Sequence, residues 1–209
     1  MVVPEKEHRL AVFASGRGSN LEAILAAREA GRLGMEVALV VSDNPRARAL
    51  ELARSAGVDA QIVEYDRKVG REAFGERLLE LCRDREITVV ALAGFMRLLP
   101  ETFLRGFPDR VFNIHPALLP SFPGLHAQAQ ALEYGVKVSG CTVHLVDSGV
   151  DTGPVVLQAA VPVYDDDDEE SLSARILRWE HVLYPRALAL FARGRLRVEG
   201  RRVRIADVE

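Results

Sequence analysis

Apolar residues along this chain follow two alternating rhythms. Short, nearly unbroken runs ("RLAVFASG", "MEVALVVSD", "AQIVEYD" and "ITVVALAGF") are separated by segments in which apolar residues recur every three or four positions. The runs predict strands and the longer period predicts amphipathic helices. One helix is expected over "SNLEAILAAREAG", with Leu21, Ile24 and Leu25 on one face and Gly31 as its stop. Two more are expected around Ala47 to Ala56 and Arg71 to Arg83. Such alternation predicts a parallel sheet covered by helices. The runs are rich in Val, Leu and Ala without a polar residue at every second place, so these strands are expected to be buried on both faces.

After Pro100 the pattern changes. "VFNIHP" reads as a strand, followed by a Pro-rich turn and a helix near Gln128 to Tyr134. "GCTVHLVDSGVDTGPVVLQAAVPV" then reads as two strands joined by a Gly/Asp/Ser loop, which adds antiparallel pairing. A long helix is expected from about Ser171 to Arg193, with Leu172, Ile176, Trp179 and Leu183 on its buried face and a kink at Pro185. The tail "RLRVEGRRVRIADVE" reads as an edge hairpin, and "DDDDEE" at Asp165 to Glu170 as a solvated acidic turn beside the positive end of the long helix. The fold class is therefore α/β: an open, Rossmann-like, mainly parallel sheet with helices on both faces and added antiparallel strands in the C-terminal half. One domain over residues 1–209 is expected, with halves of about 1–100 and 101–209.

Composition narrows the function classes. A chain of 209 residues with 48% apolar and 27% charged residues is an ordinary globular protein. Its net charge of -3 gives no global field to collect nucleic acid or an anionic membrane, so any phosphate must be held locally. Cys82 and Cys141 lack metal-ligand spacing, which favours a reducing compartment. The start "MVVPEKEHRL" has no apolar signal core, and "ITVVALAGFM" is about half the ~20 residues of a spanning helix. A cytoplasmic location is expected.

Three constellations could carry chemistry. In "ASGRGSNL", Gly16 and Gly18 permit close approach of the backbone to a ligand, and Ser19 and Asn20 open a helix whose N–H groups suit a phosphate. Leu21 stands where a dinucleotide fingerprint needs its third Gly, yet Asp43 mimics the ribose-binding acid, which leaves a nicotinamide-dependent oxidoreductase as an alternative. In "VFNIHP", a strand's period of two puts Asn113 and His115 on one face at the strand's carboxyl end. A carboxamide and a protonated imidazole can both donate to a developing oxyanion, which suits acyl-type transfer through a tetrahedral intermediate. A buried Asn–His pair serving only the fold is the other reading. Pro116, Pro120 and Pro123 restrict the loop that follows. Finally, "DSGVDTGP" is either a surface turn or a loop folded over that pair, in which case Asp151 is the carboxylate that fixes the imidazole tautomer. A zinc site from His115, His126 and His144 lacks any short ligand pair, and no metal is expected. His126 and His144 read instead as local hydrogen-bonding residues, His144 close to the pocket.

Taken together, "SGRGSNL", "LAGFMRLL", "NIHPALLPSFPGLH", "GCTVHLVDSGVDTGPVVLQ" and "EHVLYP" resemble the folate-dependent phosphoribosylglycinamide formyltransferase family of purine synthesis, in order and over nearly the whole chain. The resemblance implies transfer of a formyl group from 10-formyltetrahydrofolate to the primary amine of glycinamide ribonucleotide, with Asn113, His115 and Asp151 as the catalytic residues. It implies substrate contacts at Gly18, Ser19, Asn20, Pro116 and Glu180. It also implies donor contacts at Arg71, Met96, Arg97, Leu98, Leu99, Asn113, Val146, Val150 and Asp151. The N-terminal half would then hold the phosphate and the C-terminal half the catalytic and folate residues. The partners implied are these two small molecules, without nucleic acid or membrane, in a monomer or homodimer. Arg17 within the phosphate loop and Ala117 in place of a common Ser depart from the family's pattern.

Overall fold

A computed structural model describes residues 8–206. The stretch up to Glu7, read above for a signal segment, and the tail from Asp207 lie outside them. The described residues form two compact units, one ending at Arg110 and one beginning at Val111.

The first unit alternates strand and helix: β1 (Arg9–Phe13), α1 (Ser19–Glu29), β2 (Glu36–Ser42), α2 (Arg48–Ser55), β3 (Asp59–Ile62), α3 (Gly70–Asp84), β4 (Val89–Leu92) and α4 (Glu101–Gly106). Its strands lie in the order β3-β2-β1-β4, paired in parallel. Leu10 to Phe13 and all of β4 are buried, as runs without alternation predict for strands covered on both faces. β3 departs from that expectation. It has a neighbour on one side only in this unit, and Asp59 and Ile62 are exposed. α1 starts after Gly18 in a left-handed conformation, where a Cβ would come within 3.0 Å of the Ala49 Cα, and only glycine fits. It stops as expected at Gly31, whose N–H bonds to the Arg28 carbonyl while that of Arg32 bonds to Ala27, satisfying the last helical carbonyls.

The second unit contains β5 (Val111–His115), α5 (Ala127–Tyr134), β6 (Val138–Leu145), β7 (Val155–Pro162), α6 (Glu169–Ala192), β8 (Leu196–Glu199) and β9 (Arg202–Ile205). Here the order is β5-β6-β7-β9-β8, antiparallel except where β7 meets β9. The tail is the predicted edge hairpin. α6 packs on β6 and β7 and runs unbroken through Pro185. Its buried face differs from the predicted one, because Trp179 is 45% exposed and Glu180 is buried with Leu172, Ile176 and Leu183. The stripe advances from Ile176 by four positions rather than three, and thereby carries a carboxylate inward.

The acidic turn is also more than solvated. The Asp168 carboxylate accepts the Ser171 N–H at 2.8 Å and the Ser171 hydroxyl accepts the Asp168 N–H at 3.0 Å, a reciprocal cap. Asp167 is gripped by both ends of the Arg175 guanidinium at 2.6 and 2.7 Å, which holds its carboxyl well below the usual carboxylate range. Both cysteines are free and buried. No helix among the described residues is long and apolar enough to cross a membrane.

Candidate active site

The β5–β6 pair of the second unit places four polar side chains by register. β5 runs antiparallel to β6 with Asn113 opposite His144 and His115 opposite Thr142. The strand period then turns Asn113 and His115 to one face. His115, Thr142 and His144 are buried, and Asn113 is half-buried.

Two loops close on this row. The Pro-rich loop after β5 is fastened by Thr142, whose hydroxyl donates to the Ala117 carbonyl at 2.7 Å and accepts the Leu119 N–H at 3.0 Å. Gln158 of β7 donates to the Leu119 carbonyl at 2.9 Å. So held, the loop turns through Phe122, in left-handed conformation at φ 53, and sets its carbonyl oxygen 2.8 Å from His115 Nε2.

The second loop joins β6 to β7. Its base is closed by the Leu145 N–H bonding to the Pro154 carbonyl at 2.9 Å. Asp147 accepts the Gly149 N–H and the Thr152 hydroxyl within the loop, and Arg201 donates to the Thr152 carbonyl from the tail. Asp151, also left-handed at φ 52, extends its carboxylate into the row. One oxygen lies 3.3 Å from His115 Nδ1 and accepts the Gly124 N–H at 2.8 Å. The other accepts from Asn113 Nδ2 at 3.3 Å and lies 3.5 Å from His144 Nε2. A non-glycine residue in the left-handed region costs of order ~1–3 kcal/mol. Phe122 and Asp151 both carry that strain, and both touch His115.

The partners dictate where hydrogens stand. Phe122 offers His115 a carbonyl and Asp151 offers it a carboxylate, and both can only accept. Both contacts are satisfied together only when both ring nitrogens carry hydrogen, giving a positive ring against a negative carboxylate. At His144 the Leu145 carbonyl, 2.9 Å away, fixes Nδ1 as a donor. Its Nε2 accepts from Asn113 Nδ2 at 3.2 Å when unprotonated, and reaches Asp151 when the ring is charged. Burial alone would raise the Asp151 carboxyl. Hydrogen bonds from His144 and the Gly124 N–H, with the charges of His115 and His144, outweigh it and hold the group below its usual value. The cluster is thus an ionised carboxylate fixed beside an imidazole and a carboxamide, a set able to hold an oxyanion and to relay a proton. An incoming oxygen can bond to the His115 Nε2 hydrogen only in place of the Phe122 carbonyl.

The structure brings Asn113, His115 and Asp151 together, with Pro116 half-buried directly after β5, Val146 half-buried and bonded through its N–H to the Val111 carbonyl, and Val150 exposed on the Asp151 loop. Glu180 is 7% exposed on α6. Its charge, after burial, is the next contribution that pushes the Cys141 thiol up to about 12. Gly18, Ser19 and Asn20 open α1 in the first unit, which also carries Arg71 near the start of α3 and the segment Met96, Arg97, Leu98 and Leu99 after β4. His126 is exposed at the left-handed N-cap of α5. Among the described residues no group of three His, Cys, Asp or Glu side chains stands ready to hold a metal ion. Asp43 does not serve the dinucleotide alternative. Its carboxylate is occupied by the Ser15 hydroxyl at 2.5 Å and by Arg97 Nε at 2.6 Å, and Leu21 is core. Sequence reasoning missed the Phe122 carbonyl and the Gly124 N–H, since main-chain groups carry no residue-type signal. The fastening role of Thr142 did have one, a polar residue two places before His144 within β6.

Residues 8–188 match the family described as formyl transferase. The chain is 53% identical to the crystal structure of glycinamide ribonucleotide transformylase 1 from Symbiobacterium toebii, with a TM-score of 0.94 over 96% of this chain and 95% of that one. It is 41% identical over 177 residues to phosphoribosylglycinamide formyltransferase of Bacillus subtilis (strain 168), covering 85% of this chain and 91% of that protein. It is 44% identical over 195 residues to the trifunctional purine biosynthetic protein adenosine-3 of Drosophila melanogaster, covering 92% of this chain but 14% of that protein. The chain therefore spans about one-seventh of the length of the fly trifunctional relatives it matches.

Proposed function

Because the chain belongs to the formyl transferase family, we propose that it transfers the formyl group of 10-formyltetrahydrofolate to the primary amine of glycinamide ribonucleotide in purine biosynthesis. The observation that carries this reading is the single carboxylate of Asp151 touching both His115 and Asn113 inside one largely buried cluster. When a neutral amine attacks the formyl carbon, the formyl oxygen becomes negative and the nitrogen positive. His115, through its Nε2 hydrogen, and Asn113, through its carboxamide, hold that oxygen. Asp151 keeps the imidazole oriented through Nδ1 and relays, by way of water, the proton that the attacking nitrogen loses to N10 of the donor, so that the C–N10 bond breaks and tetrahydrofolate leaves as a neutral amine. One oxyanion donor of this kind is worth about 10²–10³ in turnover.

The substrate's phosphate is held by the N–H groups and positive end of α1 at Gly18, Ser19 and Asn20. Its amine end meets Glu180 and Pro116. The donor's pteridine lies along Met96 to Leu99, where Met96 and Leu98 offer exposed apolar surface, with Arg71, Val146 and Val150 as further contacts. Both partners are small molecules. The chain works as one formyltransferase domain in the cytoplasm, as a monomer or homodimer, without a metal, nucleic acid or membrane.

Purified protein incubated with both substrates should release tetrahydrofolate and formylated ribonucleotide, and neither product when one substrate is omitted. Failure to transfer formyl, or turnover of a nicotinamide dinucleotide in its place, would overturn this reading.

A further inference from the structure

We propose that Asp43 is a positioning residue for the formyl donor, fixing through Ser15 and Arg97 the conformation of Met96–Leu99. The inference rests on the reading of that segment as the donor's binding surface. Asp43 follows β2 and its side chain is only 4% exposed. A carboxylate so buried is costly unless both oxygens are paired. Each oxygen has one strong donor, the Ser15 hydroxyl at 2.5 Å and Arg97 Nε at 2.6 Å.

Both donors belong to, or reach, the segment after β4. With its hydrogen committed to Asp43, the Ser15 hydroxyl turns its lone pairs to the Met96 N–H, which it accepts at 2.9 Å. The Ser15 main chain is itself fixed, its N–H on the Gly94 carbonyl and its carbonyl on the Asn44 carboxamide. Arg97, turned by the same carboxylate, lies with its guanidinium 4.8 Å from the centre of the Tyr65 ring. The segment is thereby pinned at two consecutive residues, Met96 through its main chain and Arg97 through its side chain. Yet Met96 is 61% and Leu98 57% exposed, while Leu99 is buried. A turn held this firmly that turns two large apolar side chains outward is arranged to meet a flat apolar ligand rather than to fill a core. Asp43 takes no part in the Asn113–His115–Asp151 cluster, so its effect should be confined to donor binding.

Asp43→Asn keeps the shape and removes the charge that strengthens both bonds. KM for 10-formyltetrahydrofolate should rise about tenfold, the scale of one lost charge-assisted hydrogen bond. KM for glycinamide ribonucleotide, and kcat at saturating donor, should stay within about twofold. Ser15→Ala should raise donor KM likewise, and the double variant should be less than the product of the two, because both act through one linkage. A merely structural role would lower the unfolding temperature and leave donor KM where it was, or shift both KM values together, and either result overturns the inference. Leu98→Asp separates this from the reading beneath it. If Leu98→Asp raises donor KM and Asp43→Asn does not, only the role of Asp43 falls; if Leu98→Asp leaves donor KM unchanged, the donor surface itself is misplaced and both fall.

Discussion

Gly153→Ala asks whether the placement of Asp151, rather than its presence, governs turnover. A Cβ at position 153 would lie 1.8 Å from the Leu145 carbonyl oxygen and 2.8 Å from its carbon, where real Cβ contacts stay beyond 3.0 Å. The obstacle is the main chain of β6, which is hydrogen-bonded to β5 and β7 and cannot give. The loop must yield instead, by roughly an ångström, beside the Leu145–Pro154 bond that closes its base. Asp151 sits two residues away and holds His115 Nδ1 at 3.3 Å, close to the outer limit of a hydrogen bond, so a shift of that size breaks the contact. Misplacement of a catalytic group by an ångström costs on the order of 10² in rate. The overpacking itself costs about 1–3 kcal/mol of stability. Gly149→Ala is the control in the same loop. Its Cβ would strike the Thr152 hydroxyl at 2.0 Å, a side-chain atom that can rotate away at the loss of its one bond to Asp147, leaving the main chain in place. Turnover at saturating substrates, with thermal unfolding as a check on folding, should show a loss near 10² for Gly153→Ala and little for Gly149→Ala. A folded Gly153→Ala enzyme with near-normal turnover, or equal losses in the two variants, refutes the reasoning.

Other outcomes follow from the same geometry. On α6, Ile176→Ala should cost about 2–5 kcal/mol and Trp179→Ala, which removes a half-exposed ring, clearly less, read by denaturant unfolding; equal costs would contradict the observed burial. The Asp151 carboxyl sits below its usual 3.8, so its charged form stabilises the fold. That contribution is complete above 3.8 and disappears as pH falls through the lower folded value. The stability gap between the protein and Asp151→Asn should therefore still be open at neutral pH and its carboxylate part lost only in acid, and a gap already closed near neutrality argues against the ionised carboxylate. Burial pushes the Cys82 and Cys141 thiols up to about 12, so iodoacetamide should leave both unmodified until the protein is unfolded. Rapid labelling of the native protein would count against that burial.

The parallel α/β half was legible because its strands are buried on both faces, which leaves the unbroken Val, Leu and Ala runs that mark β1, β2 and β4. β3 was legible as a strand but not as an exposed one, since edge position depends on which neighbours assemble beside it. In α6 the apolar period could be continued through Trp179 or through Glu180. A hydrophobicity rule chooses the tryptophan, and only resemblance singled out the glutamate that the structure buries. Asn113 and His115 were legible from the strand period, and Asp151 from the loop that carries it. The Phe122 carbonyl and Gly124 N–H were not, because they enter by backbone geometry, set by a left-handed Phe122 and by Thr142 and Gln158 far along the chain. Asp43 shows the reverse error. Its position suggested a ribose-binding acid, and its neighbours Ser15 and Arg97, brought in by folding, had already claimed both oxygens.

The central claim is that the carboxylate joined to His115 serves the transfer step and not the capture of the ribonucleotide. The most direct measurement is formyl-transfer turnover of Asp151→Asn beside the calorimetric affinity of the same variant for glycinamide ribonucleotide. Turnover should fall by about 10²–10⁴, the scale of a positioned proton-transfer group, while affinity stays within a few-fold. Near-normal turnover, or a loss traced wholly to weakened ribonucleotide binding, would contradict it.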